Sequence, residues 1–252
     1  MQTLLRRLQK SMSTLYETLR TKALSALKDH ELIHHRVKVK ARALTTEEAI
    51  GNPEGDDFPL QKGKERLMQA EINGSVGQAF TDRYGDFEGR MDEILSMPLE
   101  NNYRRAVFVA ALNAALRAVG VSDRTIHCRD SEPGLCAREL VDFLARRYGG
   151  LKIGQVGYQP KIVESVATSF PLRVLDLDPD NIGTEKRGVT IEGGESRDDV
   201  IGWADLLLVT GTVLVNGTIE DFIGKKPVLF YGTTIAGAAS LMGWDRFCGQ
   251  GK

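Results

Sequence analysis

The first 80 residues carry a helical pattern that changes into strand patterns. From Leu4 to Leu32, apolar residues recur every three or four positions, which predicts an amphipathic helix. From His34 to Ala41, polar and apolar residues alternate and predict a half-buried strand. Gly51 to Glu65 is rich in Gly, Pro and acidic residues and predicts a loop. Arg66 to Phe80 predicts a strand pair with a tight turn at Asn73-Gly74.

Two helices are predicted in the middle of the chain. Tyr103 to Val119 is Ala-rich and has no helix breaker before Gly120, which makes a C-cap. Gly134 to Tyr148 predicts a second helix that ends at a glycine pair. Because a polar segment separates the two, we place a domain boundary there. The prediction is an N-terminal α+β domain with a leading amphipathic helix, residues 1–133, and a second domain, residues 134–252.

After Leu151, short apolar runs alternate with helical patterns. The predicted strands are LKIGQVG, LRVLDLD, DLLLVTG and KPVLFYG. The predicted helical pieces between and after them are Lys161 to Ser169, Asp198 to Trp203, Ile219 to Phe222 and Ala236 to Met242. This βαβ pattern is typical of a doubly wound parallel sheet. The fold class expected for the chain is therefore α/β.

Composition and charge narrow the class of partner. The chain has 33 Lys and Arg against 34 Asp and Glu, a formal charge of -1, so no global field favours nucleic acid or an anionic membrane. We expect a small, local ligand. Apolar runs are far short of a membrane-spanning helix, and the N-terminus lacks the features of a secretory signal, so we expect a cytoplasmic protein. Three cysteines without CxxC spacing indicate reduced thiols.

Candidate ligand-binding residues follow the predicted strands of the second domain, because ligands of open parallel sheets bind beyond the carboxyl ends of the strands. They are Gly157, Tyr158, Gln159 and Pro160 after the first strand, Asp176 and Asp178 after the second, Thr210, Gly211, Thr212 and Asn216 after the third, and Gly232, Thr233 and Thr234 after the fourth. The glycines and hydroxyls suit a phosphate, a carboxylate or an oxygen-rich ligand, although ordinary strand-to-helix turns favour the same residue types. The two acids suit ribose or polyol hydroxyls, and equally the capping of a turn.

Metal-binding and catalytic motifs are sparse. His127, Cys128 and Cys136 form a cluster of soft ligands that suits a thiophilic metal such as zinc. No fourth ligand is spelled out, so a connector with a buried thiol is the alternative. The chain has no GxSxG elbow and no Walker loop. The sequence therefore leaves open whether the protein is an enzyme.

Several stretches resemble a known prokaryotic family, described as putative heavy-metal chelation proteins. They are NYRRAVFVAALNAALRAVG, KIGQVGYQPKIVESV with LRVLDLDPDNIG, ADLLLVTGTVLVNGTIEDFI and PVLFYGTTIAGAASLMGWDRF. The resemblance implies an enolase N-terminal-like domain followed by a Rossmann-like domain, with the strand-end residues on the floor of a cleft between them. Asn113, a polar residue in the matched helix, is a candidate to point into that cleft. An asparagine satisfied by its neighbours in helix packing is the alternative.

Three functional hypotheses follow. The first is a protein that binds a small anionic or metal-chelating ligand in the interdomain cleft and has a role in heavy-metal chelation or handling. Its cofactor would be a metal ion or a metal-chelating small molecule. The second is an enzyme acting on a nucleotide-like or pterin-like substrate. The third is a non-catalytic interaction protein whose helix from Leu4 to Leu27 docks a partner or a second copy of the chain.

Overall fold

The computed structural model describes residues 2–33, 39–51 and 65–252, which form two β-sheets with helices packed on them. The elements of the first part are α1 (Gln2–Leu27), β1 (Val39–Ala43), α2 (Thr46–Ile50), β2 (Arg66–Ile72), β3 (Ser75–Thr81), β4 (Phe87–Gly89), α3 (Met91–Ser96) and α4 (Asn102–Ala118). Those of the second part are α5 (Glu132–Tyr148), β5 (Ile153–Val156), α6 (Pro160–Ala167), β6 (Leu172–Leu175), β7 (Glu185–Lys186), β8 (Val189–Glu192), α7 (Arg197–Trp203), β9 (Leu206–Thr210), α8 (Thr212–Asn216), β10 (Val228–Tyr231), α9 (Ala236–Met242) and β11 (Arg246–Phe247). Single turns of 3-10 helix lie at Lys28–His30, Gly194–Ser196 and Ile219–Asp221.

The first sheet is antiparallel, with strand order β3-β2-β1-β4. The predicted strand pair is confirmed. Asn73 and Gly74 both have positive φ, 50° and 76°, as a tight two-residue hairpin turn requires. The strand predicted from His34 is confirmed from Val39 onward, and its residues 34–38 lie outside the described residues. Residues 52–64 of the predicted loop lie outside them as well.

The leading helix is confirmed as α1, which passes into the 3-10 turn at its end. Leu15, Tyr16 and Leu19 lie on its buried face. The Tyr16 hydroxyl donates a hydrogen bond to the carbonyl of Leu214 in α8. The C-terminal half of this helix is therefore part of the folded core and contacts the second part of the molecule.

Helix α4 lies at the centre of the molecule, and its prediction is confirmed. Every residue from Arg105 to Leu116 is buried. The helix packs on β2 and β3 on one side and contacts α8 and α9 on the other. The Asn101 side chain caps its N-terminus by accepting a hydrogen bond from the Arg104 N–H at 3.0 Å. Gly120 follows its C-terminus with a φ of 73°. One apolar core consequently continues from the first sheet to the second.

The second sheet has seven strands in the order β11-β10-β9-β5-β6-β8-β7. All neighbours are parallel except β7 and β8, so the α/β class with a mixed, mostly parallel sheet is confirmed. From β5 the chain continues to β6 on one side and later to β9 on the other. The carboxyl ends of β5 and β9 are therefore the point where the winding direction reverses, which is the usual ligand site of such sheets.

The sequence prediction missed the short elements of this half. β7, β8, β11 and α8 each have two to five residues, too few for a period to be recognised. The piece predicted from Ile219 to Phe222 is a single 3-10 turn, and Thr218 at its N-cap makes no side-chain cap hydrogen bond. Within the described ranges, no helix is long and apolar enough to cross a membrane.

Candidate functional site

A cavity of about 550 Å³ lies beyond the carboxyl ends of β5, β6, β9 and β10. The first part of the chain closes its other side with Phe80, Asp82 and the connector residues His127 and Cys128. The volume is in the range of small-molecule pockets in proteins. The cavity therefore lies between the two parts of the chain, at the winding reversal of the parallel sheet.

The structure brings nearly all predicted ligand-binding residues together around this cavity. Those that line it are Gly157, Tyr158, Gln159, Asp176, Asp178, Thr210, Gly211, Thr212, Asn216, Gly232, Thr233 and Thr234. Pro160 does not line it, because it is buried as the first residue of α6. The Gln159 side chain caps that helix by accepting a hydrogen bond from the Ile162 N–H at 2.6 Å. Whether these residues bind a ligand stays a prediction.

Asn113 lies outside the cavity lining and is completely buried, as the packing alternative expected. Its Nδ2 donates to the carbonyls of Gln78, Thr233 and Thr234 at 2.9, 3.2 and 3.1 Å. Its Oδ1 accepts a hydrogen bond from the Gly237 N–H at 2.7 Å. Asn113 is thus a positioning residue that joins β3, the loop after β10 and the start of α9.

The two predicted acids cap turns and also line the cavity. Asp176 Oδ2 accepts a hydrogen bond from the Tyr158 N–H at 2.6 Å, and its Oδ1 accepts one from the Asp178 N–H at 2.7 Å. Asp178 Oδ1 accepts a hydrogen bond from the Asp180 N–H at 3.0 Å. Asp176 therefore connects the ends of β5 and β6, a structural role that the sequence could only offer as an alternative.

The glycines that end the strands use their N–H groups within the sheet. Gly157, Gly211 and Gly232 donate to the carbonyls of Leu175, Tyr231 and Phe247 at 2.8, 3.1 and 3.2 Å, respectively. Gly157 has a φ of 88°, and a Cβ there would lie 2.7 Å from a methyl carbon of Thr210. Close packing and the left-handed conformation thus explain this glycine. These three N–H groups are therefore not available to a ligand.

Three acidic residues that the sequence analysis did not single out also line the cavity: Glu65, Asp82 and Asp221. Asp82 Oδ1 accepts a hydrogen bond from Asn102 Nδ2 at 2.6 Å. Asn102 Oδ1 in turn accepts one from the buried Arg105 guanidinium at 2.5 Å. The buried arginine therefore orients the amide that holds the Asp82 carboxylate. These three acids lie in turns and at the end of a loop, where no strand or helix pattern marks a site. Their acidic side chains were therefore the only signal in the sequence that they could bind a ligand.

The Glu65 carboxyl has a strongly perturbed acidity. Burial is the largest cause, and the negative charges of Asp176, Asp82 and Asp178 add to it. Together they raise the pKa of Glu65 from 4.5 to about 7. Near neutral pH this carboxyl therefore exchanges a proton easily, whereas an ordinary glutamate would be ionised.

Replacement of Glu65 with glutamine is expected to change how stability depends on pH. Between about pH 4.5 and pH 7, the folded protein holds a proton on Glu65 that the unfolded chain has lost, so this group makes the free energy of unfolding fall as pH rises. Glu65→Gln removes that contribution. Urea unfolding over this pH range should show that the free energy of unfolding falls less with rising pH in the variant than in wild type. Above pH 7 the variant should be more stable than wild type. Parallel stability curves for the two proteins would contradict the assignment.

The basic groups of the cavity are few. Arg197 is the only lysine or arginine among the described lining residues, and its Nη1 is paired with Asp221 Oδ2 at 2.8 Å. Burial lowers the pKa of His127 to about 4, so its imidazole is neutral at pH 7. The His127 ring packs edge-on against Phe80, with 5.1 Å between ring centroids. Its Nδ1 is buried and has no hydrogen-bond partner in the described part of the chain.

A hydroxyl group is also left without a partner at the cavity. Thr233 is 1% exposed, and no described residue forms a hydrogen bond with its Oγ1. The neighbouring Thr234 Oγ1 accepts a hydrogen bond from the Phe80 N–H at 3.1 Å, which connects this loop to β3. A buried polar atom without a partner costs about 1–3 kcal/mol unless another molecule satisfies it. The Thr233 hydroxyl therefore indicates a ligand or water site.

All three cysteines of the chain, Cys128, Cys136 and Cys248, have free thiols and line the same cavity. Burial raises the pKa of Cys128 and that of Cys136. Yet across residues 2–33, 39–51 and 65–252, no group of three or more His, Cys, Asp or Glu side chains is placed to hold a metal ion. The predicted metal ligands His127, Cys128 and Cys136 therefore share a cavity, and whether they bind a metal stays a prediction.

Cysteine labelling is expected to follow this burial. Because alkylation needs an accessible thiolate, native protein should react slowly with iodoacetamide, and the partly exposed Cys136 should react before the buried Cys128. Mass spectrometry of proteolytic peptides after timed labelling measures each rate. Unfolding in urea should make the two rates similar. Rapid alkylation of Cys128 in the native protein would show that its environment is wrongly described.

A family-model match supports the resemblance over part of the chain. No curated protein matches this chain. Two solved structures are similar: a protein with unknown function from the DUF364 family of Pyrococcus horikoshii (16% identity, TM-score 0.49, 87% of this chain and 79% of that chain covered) and another from Desulfitobacterium hafniense DCB-2 (15% identity, TM-score 0.47, 70% and 72% covered). Residues 139–235 match the model of the DUF364 family, described as "Putative heavy-metal chelation", which confirms the predicted resemblance over that segment.

Proposed function

We propose that this protein binds a small molecule in the cavity between its two parts. The observation that carries the proposal is the position of the cavity: it lies at the winding reversal of the parallel sheet, where α/β proteins bind ligands, and the first part of the chain closes it. The unpartnered Thr233 hydroxyl supports it, since a ligand would satisfy this buried atom. The expected partner is a small molecule, in a cytoplasmic protein.

The proposal includes the division into two domains. We assign residues 1–133, with the four-stranded antiparallel sheet, to an enolase N-terminal-like domain, and residues 134–252 to a Rossmann-like domain. The strand order around β5 and the largely parallel pairing support the second assignment. The cavity is then an interdomain cleft, because Phe80 and His127 come from one domain and Gly157 and Gly232 from the other.

A role in heavy-metal handling would require the metal to arrive with an organic chelator. The described side chains do not form a group that would hold a bare ion. A chelator can use the hydrogen-bonding groups and apolar walls of the cavity as any organic ligand would. We therefore propose an organic ligand as the bound species, with or without a metal attached to it.

Native mass spectrometry of gently purified protein, with elemental analysis of the same sample, tests this proposal. Thr218 lines the cavity, is half-buried and makes no side-chain cap hydrogen bond, so Thr218→Trp should fill the cavity with little other damage. Ser169 is exposed and outside the cavity, which makes Ser169→Trp a matched control. Wild type and Ser169→Trp should carry a bound small molecule that Thr218→Trp lacks. An adduct retained by Thr218→Trp would locate the ligand elsewhere, and a stoichiometric metal without an organic adduct would contradict the organic ligand.

A further inference from the structure

The carboxyl groups around the cavity outnumber the basic groups. Among the described residues, five acidic side chains line it: Glu65, Asp82, Asp176, Asp178 and Asp221. Arg197, the only described lysine or arginine in the lining, is paired with Asp221. Within the described part of the chain, no basic side chain pairs with the other four acids. The described lining therefore carries an excess of negative charge, although the whole chain is almost neutral at -1.

The acids act on one another across the cavity. Glu65 precedes β2, Asp82 follows β3, and Asp176 and Asp178 follow β6, so three separate segments bring them together. The negative charges of the three aspartates contribute to the raised pKa of Glu65. From β10, the Tyr231 hydroxyl also faces this group, and its own pKa is raised by burial and, in smaller part, by Asp176 and Glu65.

Among the described residues, Arg66 follows Glu65 in the chain and His127 shares the cavity lining with it. The Arg66 guanidinium lies over the ring of Tyr84, 5.6 Å from its centroid. The imidazole of His127 is neutral at pH 7, because burial lowers its pKa to about 4. Lys186 is outside the lining, and its Nζ donates a hydrogen bond to Asn181 Oδ1 at 2.6 Å. Because the described acids outnumber Arg197 and Lys186 together, the potential at the acidic end of the cavity favours a positive group.

A second observation, independent of the acids, indicates that this space accepts a ligand. The Thr233 side chain is 1% exposed, lines the cavity and has an Oγ1 without a hydrogen-bond partner among the described residues. A hydroxyl can donate to or accept from a bound molecule. The remaining walls are largely apolar and include Phe80, Leu175, Phe222 and Phe247. A ligand that matches both the polar groups and the apolar walls of the cavity has an apolar body and a polar head.

The strand-end glycines give little support to an anionic head. The N–H groups of Gly157, Gly211 and Gly232 are already used in hydrogen bonds to neighbouring strands. The Tyr158 N–H is used by Asp176. An anion in this cavity would meet several carboxylates, and these four N–H groups would not offset the repulsion. The anionic ligand expected from the glycine and threonine turns is therefore the less favourable match.

We propose that the cavity binds a small organic cation, with its protonated nitrogen among the carboxylates of Glu65, Asp82 and Asp176 and its apolar body against the aromatic walls. The inference rests on the proposed function and specifies the class of ligand. Binding of the cation stabilises the ionised form of Glu65 and releases its proton to solvent. The affinity for an amine therefore rises as pH increases through 7, as long as the amine itself stays protonated.

Three probes with the same ring and different charge test the inference: benzylamine, benzyl alcohol and benzoate. Titration of the full chain by saturation-transfer NMR, slightly above pH 7, gives a dissociation constant for each. Benzylamine is expected to bind about tenfold more tightly than benzyl alcohol, and benzoate more weakly than both. Glu65→Gln and Asp82→Asn should each weaken benzylamine several-fold and leave benzyl alcohol unchanged. Asp142→Asn, which removes an exposed carboxylate outside the cavity, is the matched control and should change neither.

The outcomes separate this inference from the proposed function. Benzyl alcohol or benzoate binding as tightly as benzylamine, with all binding lost in Thr218→Trp, would overturn the cationic ligand and keep the cavity as a binding site. No binding of any probe, or binding unaffected by Thr218→Trp, would overturn the cavity as a binding site as well. Thermal unfolding of each variant verifies folding, and Asp82→Asn provides the test if Glu65→Gln does not fold.

Discussion

Gly77→Ala is expected to destabilise the protein by about 3 kcal/mol or more. A Cβ at this position of β3 would lie 2.2 Å from the backbone N of Ala114 and 2.4 Å from the carbonyl O of Ala110, both in α4. Backbone atoms cannot rotate away as a flexible side chain can. The helix and the sheet would have to separate, and the packing lost would spread through the core that they share.

Urea unfolding of Gly77→Ala measures this effect, and Gly74→Ala provides the matched control. Gly74 lies at the hairpin turn of the same strand pair, where a Cβ would meet nothing within 4 Å but the φ of 76° disfavours alanine. We expect a loss of only about 1 kcal/mol there. Equal losses for the two variants would show that backbone conformation, and not contact with α4, sets the requirement for glycine in this hairpin.

Asn113→Ala is expected to cost about 4 kcal/mol, because the substitution leaves several buried groups without partners. The side chain satisfies three carbonyls and one N–H, and it is completely buried within α4. The loop that carries Thr233 and Thr234 loses its anchor, so ligand binding in the cavity should weaken in addition to stability.

Asn101→Ala is the control for the loss of stability in Asn113→Ala, since it removes the asparagine that caps the N-terminus of the same helix. Asn101 makes one N-cap hydrogen bond, to the Arg104 N–H, so its loss should cost about 1 kcal/mol. Thermal and urea unfolding of both variants give the comparison. A loss at Asn113 no larger than that at Asn101 would mean that water or local rearrangement replaces the buried hydrogen bonds.

The sequence predicted the long elements well because their signals are local. The helix predicted at Tyr103–Val119 is rich in alanine and is followed by a glycine that ends it. The structure has this helix as α4, at Asn102–Ala118. The turn at Asn73-Gly74 requires positive φ at both residues, and both have it. The strand ends could be identified as a shared cavity edge because parallel strands place their carboxyl ends together.

Contacts between residues that are far apart in the sequence could not be predicted from local signals. In the sequence, Asn113 is a polar residue in an apolar helix. Only the packing of β3 and α9 against it shows which backbone groups its side chain hydrogen-bonds. Glu65 and Asp82 are ordinary loop acids in the sequence, and only the fold brings them to the same cavity as Asp176. The sequence therefore indicated the location of the candidate site, whereas the acidic character of its lining became apparent only in the fold.

The central claim is that the cavity binds a small molecule, and thermal unfolding across a broad metabolite panel tests it most directly. A ligand that binds only the folded state raises the unfolding temperature in proportion to the logarithm of its concentration above the dissociation constant. We predict that at least one compound, carrying a positive nitrogen group, stabilises wild type and Ser169→Trp but not Thr218→Trp. Equal stabilisation of all three proteins, or stabilisation of none by any compound, would contradict the account.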